Sequence, residues 1–278
     1  MDNDFSKYNM TTEDLEAIRS AKSSMEDIGM IMKGINSFGE GIESGIKMIP
    51  QKQQVWLQKN VNNILMALVK TNLATMEKGS TFKNPSPKIY KSLVTATGAL
   101  SGAFGATTGI GTALFASELA LSTKFIMRSI MDIARSEGED LYTIETQLSC
   151  LQVFSLGGSS KDDDGLETSY YTSKIALDNA LKGASSYVTK NGINSIKFLL
   201  NSSNPLMKLI SNITSRFTIQ VSEKFIAQAV PLIGAAGGGS INYLFINHFQ
   251  KMAKAHFTIR RLERKYGEDL VKTKYLEV

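Results

Sequence analysis

An all-α fold is predicted: a single multi-helix bundle containing two glycine- and alanine-rich apolar segments that resemble hairpins. Three observations predict it. Apolar residues recur at helical spacing through most of the 278-residue chain, with no useful run of strand-period alternation. Prolines number only five, and the hydrophobic fraction is 42%, ample for a core. Two stretches of 26 residues each, 92–117 and 225–250, carry no charged side chain. A mean hydropathy of −0.09 is far below that of a polytopic membrane protein.

Residues 1–10 read as a flexible polar tail, and residues 11–278 as one helical domain. Thr11 and Asp14 suggest a capping box before Leu15 and Ile18. Glycines at 29, 34, 39, 41 and 45 break the next stretch, so two or three short helices are expected up to about residue 47. Pro50 opens a helix over about 52–77, with Val55, Leu57, Val61, Ile64, Leu65, Leu68 and Leu73 on its apolar positions. Pro85 and Pro87 mark a loop. Glu118 marks the start of an amphipathic helix that Gly138 should end. Another helix is expected over about 140–156. The polar run at 159–165, with Asp162, Asp163 and Asp164, reads as a solvated loop, because the spacing of a calcium loop is missing. Helices follow over about 167–190 and 192–200. A break comes near Pro205, and a basic helix runs over about 240–266 before a short charged tail.

The uncharged segments hold the most unusual sequence. Each, as an unbroken helix, would be about 39 Å long, enough to cross a hydrocarbon core of ~30 Å. Composition argues against a simple crossing: the first holds five threonines and five glycines, and the second contains Pro231 and Gly237-Gly238-Gly239, which favour a hairpin or helix–turn–helix. Gly98, Gly102, Gly105 and Gly109 share one helical face, and with Gly234, Gly237, Gly238 and Gly239 they are candidates for close helix packing or membrane contact.

Charge is unevenly spread. The net charge is +5, but residues 1–50 carry −4, leaving +9 on residues 51–278. A positive body favours anionic partners. His256, Arg260 and Arg264 follow at intervals of four with Arg261 beside them, and form a candidate site for an anionic headgroup. Pairing with the chain's own carboxylates is the alternative for these bases. Aromatic residues do not interleave with the bases, so no nucleic-acid partner is expected.

The chain offers no catalytic or metal motif: no H-E-x-x-H, G-x-S-x-G or Walker A pattern is present. The two histidines, His248 and His256, lie two helical turns apart, too far to share a metal without ligands from elsewhere. Cys150 is the single cysteine and sits in an apolar run, which suits burial rather than nucleophilic work. No cofactor is expected. The N-terminus lacks the basic and apolar regions of a secretory signal, so the expected location is the cytoplasm, peripheral to the inner face of the membrane.

Longer phrases carry a family resemblance. They include Gln228 through Gly238, Asn242, His248-Phe249, His256-Phe257, Arg260-Arg261-Leu262-Glu263-Arg264 and Tyr266-Gly267. Gly102 to Gly111, Gly138-Glu139-Asp140, the run from Cys150 to Gly158, and Tyr170-Tyr171 belong to the same set. Over about residues 11–278 the chain resembles the EcsC family of bacterial proteins. The resemblance implies no catalytic residues. It implies a membrane-process context, because the family is named from a gene beside those of an ABC transporter. The peptidase label sometimes given to the family finds no support in these residues. The resulting expectation is a non-enzymatic, membrane-associated protein that binds anionic phospholipid or another apolar ligand. The alternatives are an adaptor for an ABC transporter or other membrane protein, and a hydrolase with an unrecognised site.

Overall fold

The computed structural model describes residues 10–26, 49–77, 87–102, 109–156, 169–191, 205–229 and 231–278. The tail at 1–9, the short helices expected beyond residue 26, Gly105, the polar loop expected at 159–165 and the helix expected at 192–200 lie outside them. Among the described residues the chain is helical throughout, without a strand.

Helix α1 (Thr12–Glu26) begins at Thr11, whose hydroxyl accepts the Asp14 backbone N–H at 3.2 Å. The Asp14 carboxylate interacts with the Thr11 side chain in turn, and is held as well by Lys265 and Tyr266. Helix α2 (Gln51–Glu77) follows Pro50 and buries Leu57, Val61, Leu65 and Leu68. Val55, expected on that apolar face, is 59% exposed. Proline again occupies the first position of α3 (Pro87–Gly102), where its missing N–H costs nothing.

Helix α4 (Gly109–Ser136) begins nine residues before the expected start at Glu118, so the last nine of the 26 residues of the first uncharged segment are part of it. It ends as the sequence predicts. Gly138 takes φ +81°, and the N–H groups of Gly138 and Glu139 bond to the carbonyls of Arg135 and Ala134. A Cβ at Gly138 would meet the Arg264 guanidinium at 3.7 Å, so space is adequate and the backbone angle is the obstacle. Gly138→Ala should therefore cost ~1 kcal/mol, read as a lower urea midpoint with an unchanged slope.

The helix expected at 140–156 is shorter. It is α5 (Ile144–Gln152), capped by the Thr143 hydroxyl and continued by a 3-10 turn, Val153–Ser155. Helix α6 (Ser169–Asn191) precedes α7 (Pro205–Ala229). Helix α8 (Pro231–Tyr266) corrects the expected helix–turn–helix: it runs unbroken through Gly237, Gly238 and Gly239, and only Pro231 interrupts the second uncharged segment. Glycine costs about 1 kcal/mol against alanine in a helix. The packing of α8 along α3, the most extensive helix pair described, offsets that cost. Gly267, at φ +90°, ends α8. The expected tail beyond it is a further helix, α9 (Glu268–Glu277), held by the buried Val271 and Tyr275.

Helix α8 is the axis of the bundle, with α1, α3, α4, α7 and α9 around it. Its sense against α3 is antiparallel. Lys91 Nζ bonds Asn247 Oδ1 at 2.8 Å, and further along α3 the Val94 carbonyl accepts from Asn242 at 2.7 Å. The glycine-bearing halves of the two helices therefore run alongside each other. Phe154, Phe217, Phe245 and Phe249 fill the core, with neighbouring ring centroids 4.8–6.1 Å apart.

Candidate functional site

The two ends of the bundle differ in chemistry. The first is formed by α1, the C-terminal turns of α4 and α8, the start of α5, and α9. Here every expected headgroup-binding arginine meets a carboxylate of its own chain. Arg260 bonds Glu139 at 2.9 Å and reaches Glu145 at 3.3 Å. Arg261 bonds Glu137 at 2.8 Å and lies 3.6 Å from Asp14. Arg264 pairs with Glu139 and donates to the Glu137 carbonyl at 2.7 Å. Burial would raise the carboxyls of Glu137 and Glu139, yet both titrate below their ordinary value. The hydrogen bonds of Lys254 and Arg261 to Glu137, and of Arg260 to Glu139, outweigh it.

His256 belongs to a different setting one turn away. It is fully buried, with Nε2 3.0 Å from Ser149 Oγ and Nδ1 3.2 Å from the Tyr170 hydroxyl. A serine at 3.0 Å from an imidazole has the spacing of a nucleophile and its base. The surroundings do not suit that chemistry. Ser149 is also fully buried, and burial pushes the imidazole well below its ordinary value, making it a weak base. The nearby Glu263 is taken by Lys174 at 3.1 Å and by the Tyr171 hydroxyl. Cys150, beside Ser149, is buried, and burial raises its thiol far above the range of a reactive thiolate. Among the described residues no group of three or more His, Cys, Asp or Glu side chains could hold a metal ion.

The second end is built by the C-terminal half of α3, the N-terminal halves of α4 and α8, the C-terminus of α7 and the N-terminus of α2. Trp56 of α2 packs on Phe115 of α4 and Phe225 of α7, at 6.4 and 6.3 Å, which fixes α2 at this end. Beneath it lies one buried ion pair. Lys224 Nζ bonds Glu118 Oε1 at 2.7 Å, with the ammonium 4.8 Å from the Phe245 ring centroid. Asn242 donates to the same Glu118 oxygen at 2.8 Å and ties α8 to α4. Burial lowers the Lys224 ammonium despite its partner.

Above this pair no charged residue occurs in segments 92–117 and 225–250. Large apolar side chains on these helices face outward: Leu93 on α3, Leu114 and Leu121 on α4, and Tyr243 on α8 are 36–45% exposed. No helix among the described residues is long and apolar enough to cross a membrane.

Arg260, Arg261 and Arg264, grouped by the sequence as a headgroup site, lie together on carboxylates of the chain, and the uncharged segments lie at the other end. Sequence reasoning missed the Ser149–His256–Tyr170 cluster and the Glu118–Lys224 pair. Glu118 did carry a signal, as the only acid between Glu77 and Asp132 and embedded in apolar sequence. The glycines Gly98 and Gly102 lie on α3, Gly109 on α4, and Gly234, Gly237, Gly238 and Gly239 on α8, all toward the uncharged end. No curated protein and no solved structure matches the chain. The EcsC protein family model matches residues 13–262, nearly the whole length, and the chain belongs to the EcsC family.

Proposed function

We propose that this EcsC-family protein is a non-enzymatic, peripheral membrane protein that binds lipid through the uncharged end of its bundle. The observation that carries the reading is the segregation of charge along the bundle. One end collects the carboxylates and neutralises them with arginines. The other exposes leucines and a tyrosine in or beside segments 92–117 and 225–250, which hold no charge, with Lys52 and Lys59 of α2 as the exposed bases next to Trp56. Apolar surface grouped in this way marks an interaction site.

Lipid binding through Arg260, Arg261 and Arg264 has less support, because those guanidiniums already hold carboxylates. His256 is buried away from any headgroup. A hydrolase finds little support in a serine–histidine pair that solvent does not reach. An adaptor that packs the same apolar face on a membrane protein is the competing reading, and protein-free vesicles separate the two. The purified protein should float with liposomes in a density gradient, retaining part of that binding at high salt through its apolar contacts. Failure to float with either anionic or neutral liposomes at low salt overturns the lipid reading and leaves the adaptor.

A further inference from the structure

Resting on that reading, we infer that the uncharged end enters a single leaflet of an anionic bilayer, with a belt of cations on α3 and α4 at the level of the lipid phosphates. The argument starts from where acids are absent. Between residues 49 and 131 the only acids are Glu77 and Glu118, and between 205 and 262 the only one is Glu223. Glu118 and Glu223 are buried. Glu77 closes α2 at the end away from Trp56, and so away from the uncharged tips. As far as Arg128 of α4 these helices show outward bases without an outward acid, and the next acid on the α4 stripe is the partly buried Asp132, which pairs with Arg135 at 2.8 Å.

Those bases are placed by helical geometry. On α4 the exposed residues Leu114, Leu121, Lys124 and Arg128 fall within about 80° of arc at ~100° per residue. One stripe thus runs from apolar to cationic with distance from the tip. Lys91 does the same at the α3–α8 seam, bonded to Asn247 and 5.3 Å from the ring centroid of the half-exposed Tyr243. A tyrosine beside a lysine suits a membrane–water boundary, where the ring is partly apolar and the ammonium stays wet.

The axial distances agree. Lys91 precedes Gly102, the last residue of α3, by ~16 Å at 1.5 Å per residue, Lys124 follows Gly109, the first of α4, by ~22 Å, and Arg128 stands one turn farther out at ~28 Å. One leaflet with its headgroups is ~20 Å thick. Leu93, Leu114 and Leu121 lie between the tips and the belt. An end of this depth fills one leaflet and stops, as suits helices too polar to cross. The partner that fits is an anionic phospholipid surface, drawn to the belt by charge and held by apolar contact.

The test compares flotation on phosphatidylcholine vesicles with and without phosphatidylglycerol. Lys124→Gln/Arg128→Gln should weaken binding to the anionic vesicles about thirtyfold, from ~1 kcal/mol for each cation at an anionic surface. Lys272→Gln on α9, an exposed base at the opposite end, should change it less than about twofold on the same scale. A folded belt variant that floats like the wild type overturns the belt and leaves the lipid reading standing. Wild-type protein that floats on neither vesicle overturns both. Depth has its own readout. Cys150 is buried, so an environment-sensitive thiol dye can be directed to Leu114→Cys or Lys272→Cys in the full chain. Acyl-chain nitroxides should quench the dye at position 114 and not at 272. Absence of quenching at 114 in vesicle-bound protein overturns entry into the leaflet.

Discussion

Glu118→Ala should lower the unfolding free energy by about 3–5 kcal/mol, measured by urea denaturation followed by far-UV circular dichroism. Lys224 is fully buried, its ammonium lies against the rings of Phe115 and Phe245, and it donates a hydrogen bond to Glu118. Removing the carboxylate leaves a cation in an aromatic box. The cheapest response is loss of the proton, toward which burial already pulls this lysine. Asn242 loses an acceptor in the same step and keeps the Val94 carbonyl. The double variant Glu118→Ala/Lys224→Met removes both charges and should recover most of the loss, because apolar replacement of a buried pair is often close to neutral. A cost below about 1 kcal/mol for Glu118→Ala would show that water reaches Lys224, since that is the range of solvated pairs.

The second large effect is on the response to acid. His248 is buried, and burial holds its imidazole down to about 4 against an ordinary 6.5. Both states are neutral above pH 6.5. Between pH 6.5 and about 4 the unfolded chain takes up a proton that the native protein refuses, so stability falls by roughly 3 kcal/mol. His256 shifts in the same direction. Glu223 acts oppositely: burial alone pushes its carboxyl up to about 7 from 4.5. The native state then binds a proton before the unfolded chain does, and gains stability as pH falls from about 7 to 4.5. These contributions partly cancel in the wild type, so the variants carry the prediction. His248→Gln should lose roughly 3 kcal/mol less than wild type on going from pH 7 to pH 4, and Glu223→Gln a similar amount more. Parallel pH profiles for wild type and His248→Gln would show an imidazole already solvated in the native protein.

Helix boundaries were legible wherever a residue acts locally. Pro50, Pro87, Pro205, Gly138 and Gly267 each stand at a helix end, because proline and left-handed glycine impose their geometry whatever surrounds them. They were illegible where packing overrides propensity. Gly237-Gly238-Gly239 reads as a break, and α8 passes through it beside α3. Gly109 to Ser117 reads as part of a separate segment and is the first two turns of α4. The arginine stripe was legible as a pattern, since four-residue spacing aligns Arg260 and Arg264. Its use was legible only as the alternative of pairing with the chain's own carboxylates, which Asp14 bears out; Glu137, Glu139 and Glu145 were not foreseen as partners, because they lie far off in sequence and only the fold returns them. Reversing Arg260 and Arg264 to glutamate would place new carboxylates against Glu139 and Glu145, and would read out folding more than lipid binding.

Helix α8 spans 36 residues without a kink-forming break, a rod of ~54 Å. Asn242, ~16 Å along the rod from Pro231, is bonded to Glu118 and Val94, and Lys265 at the far end to Asp14 of α1. The rod is thus anchored on one side of its middle and at its C-terminal tip. Mechanically, the chain's first helix and its uncharged segments are fastened to a single beam.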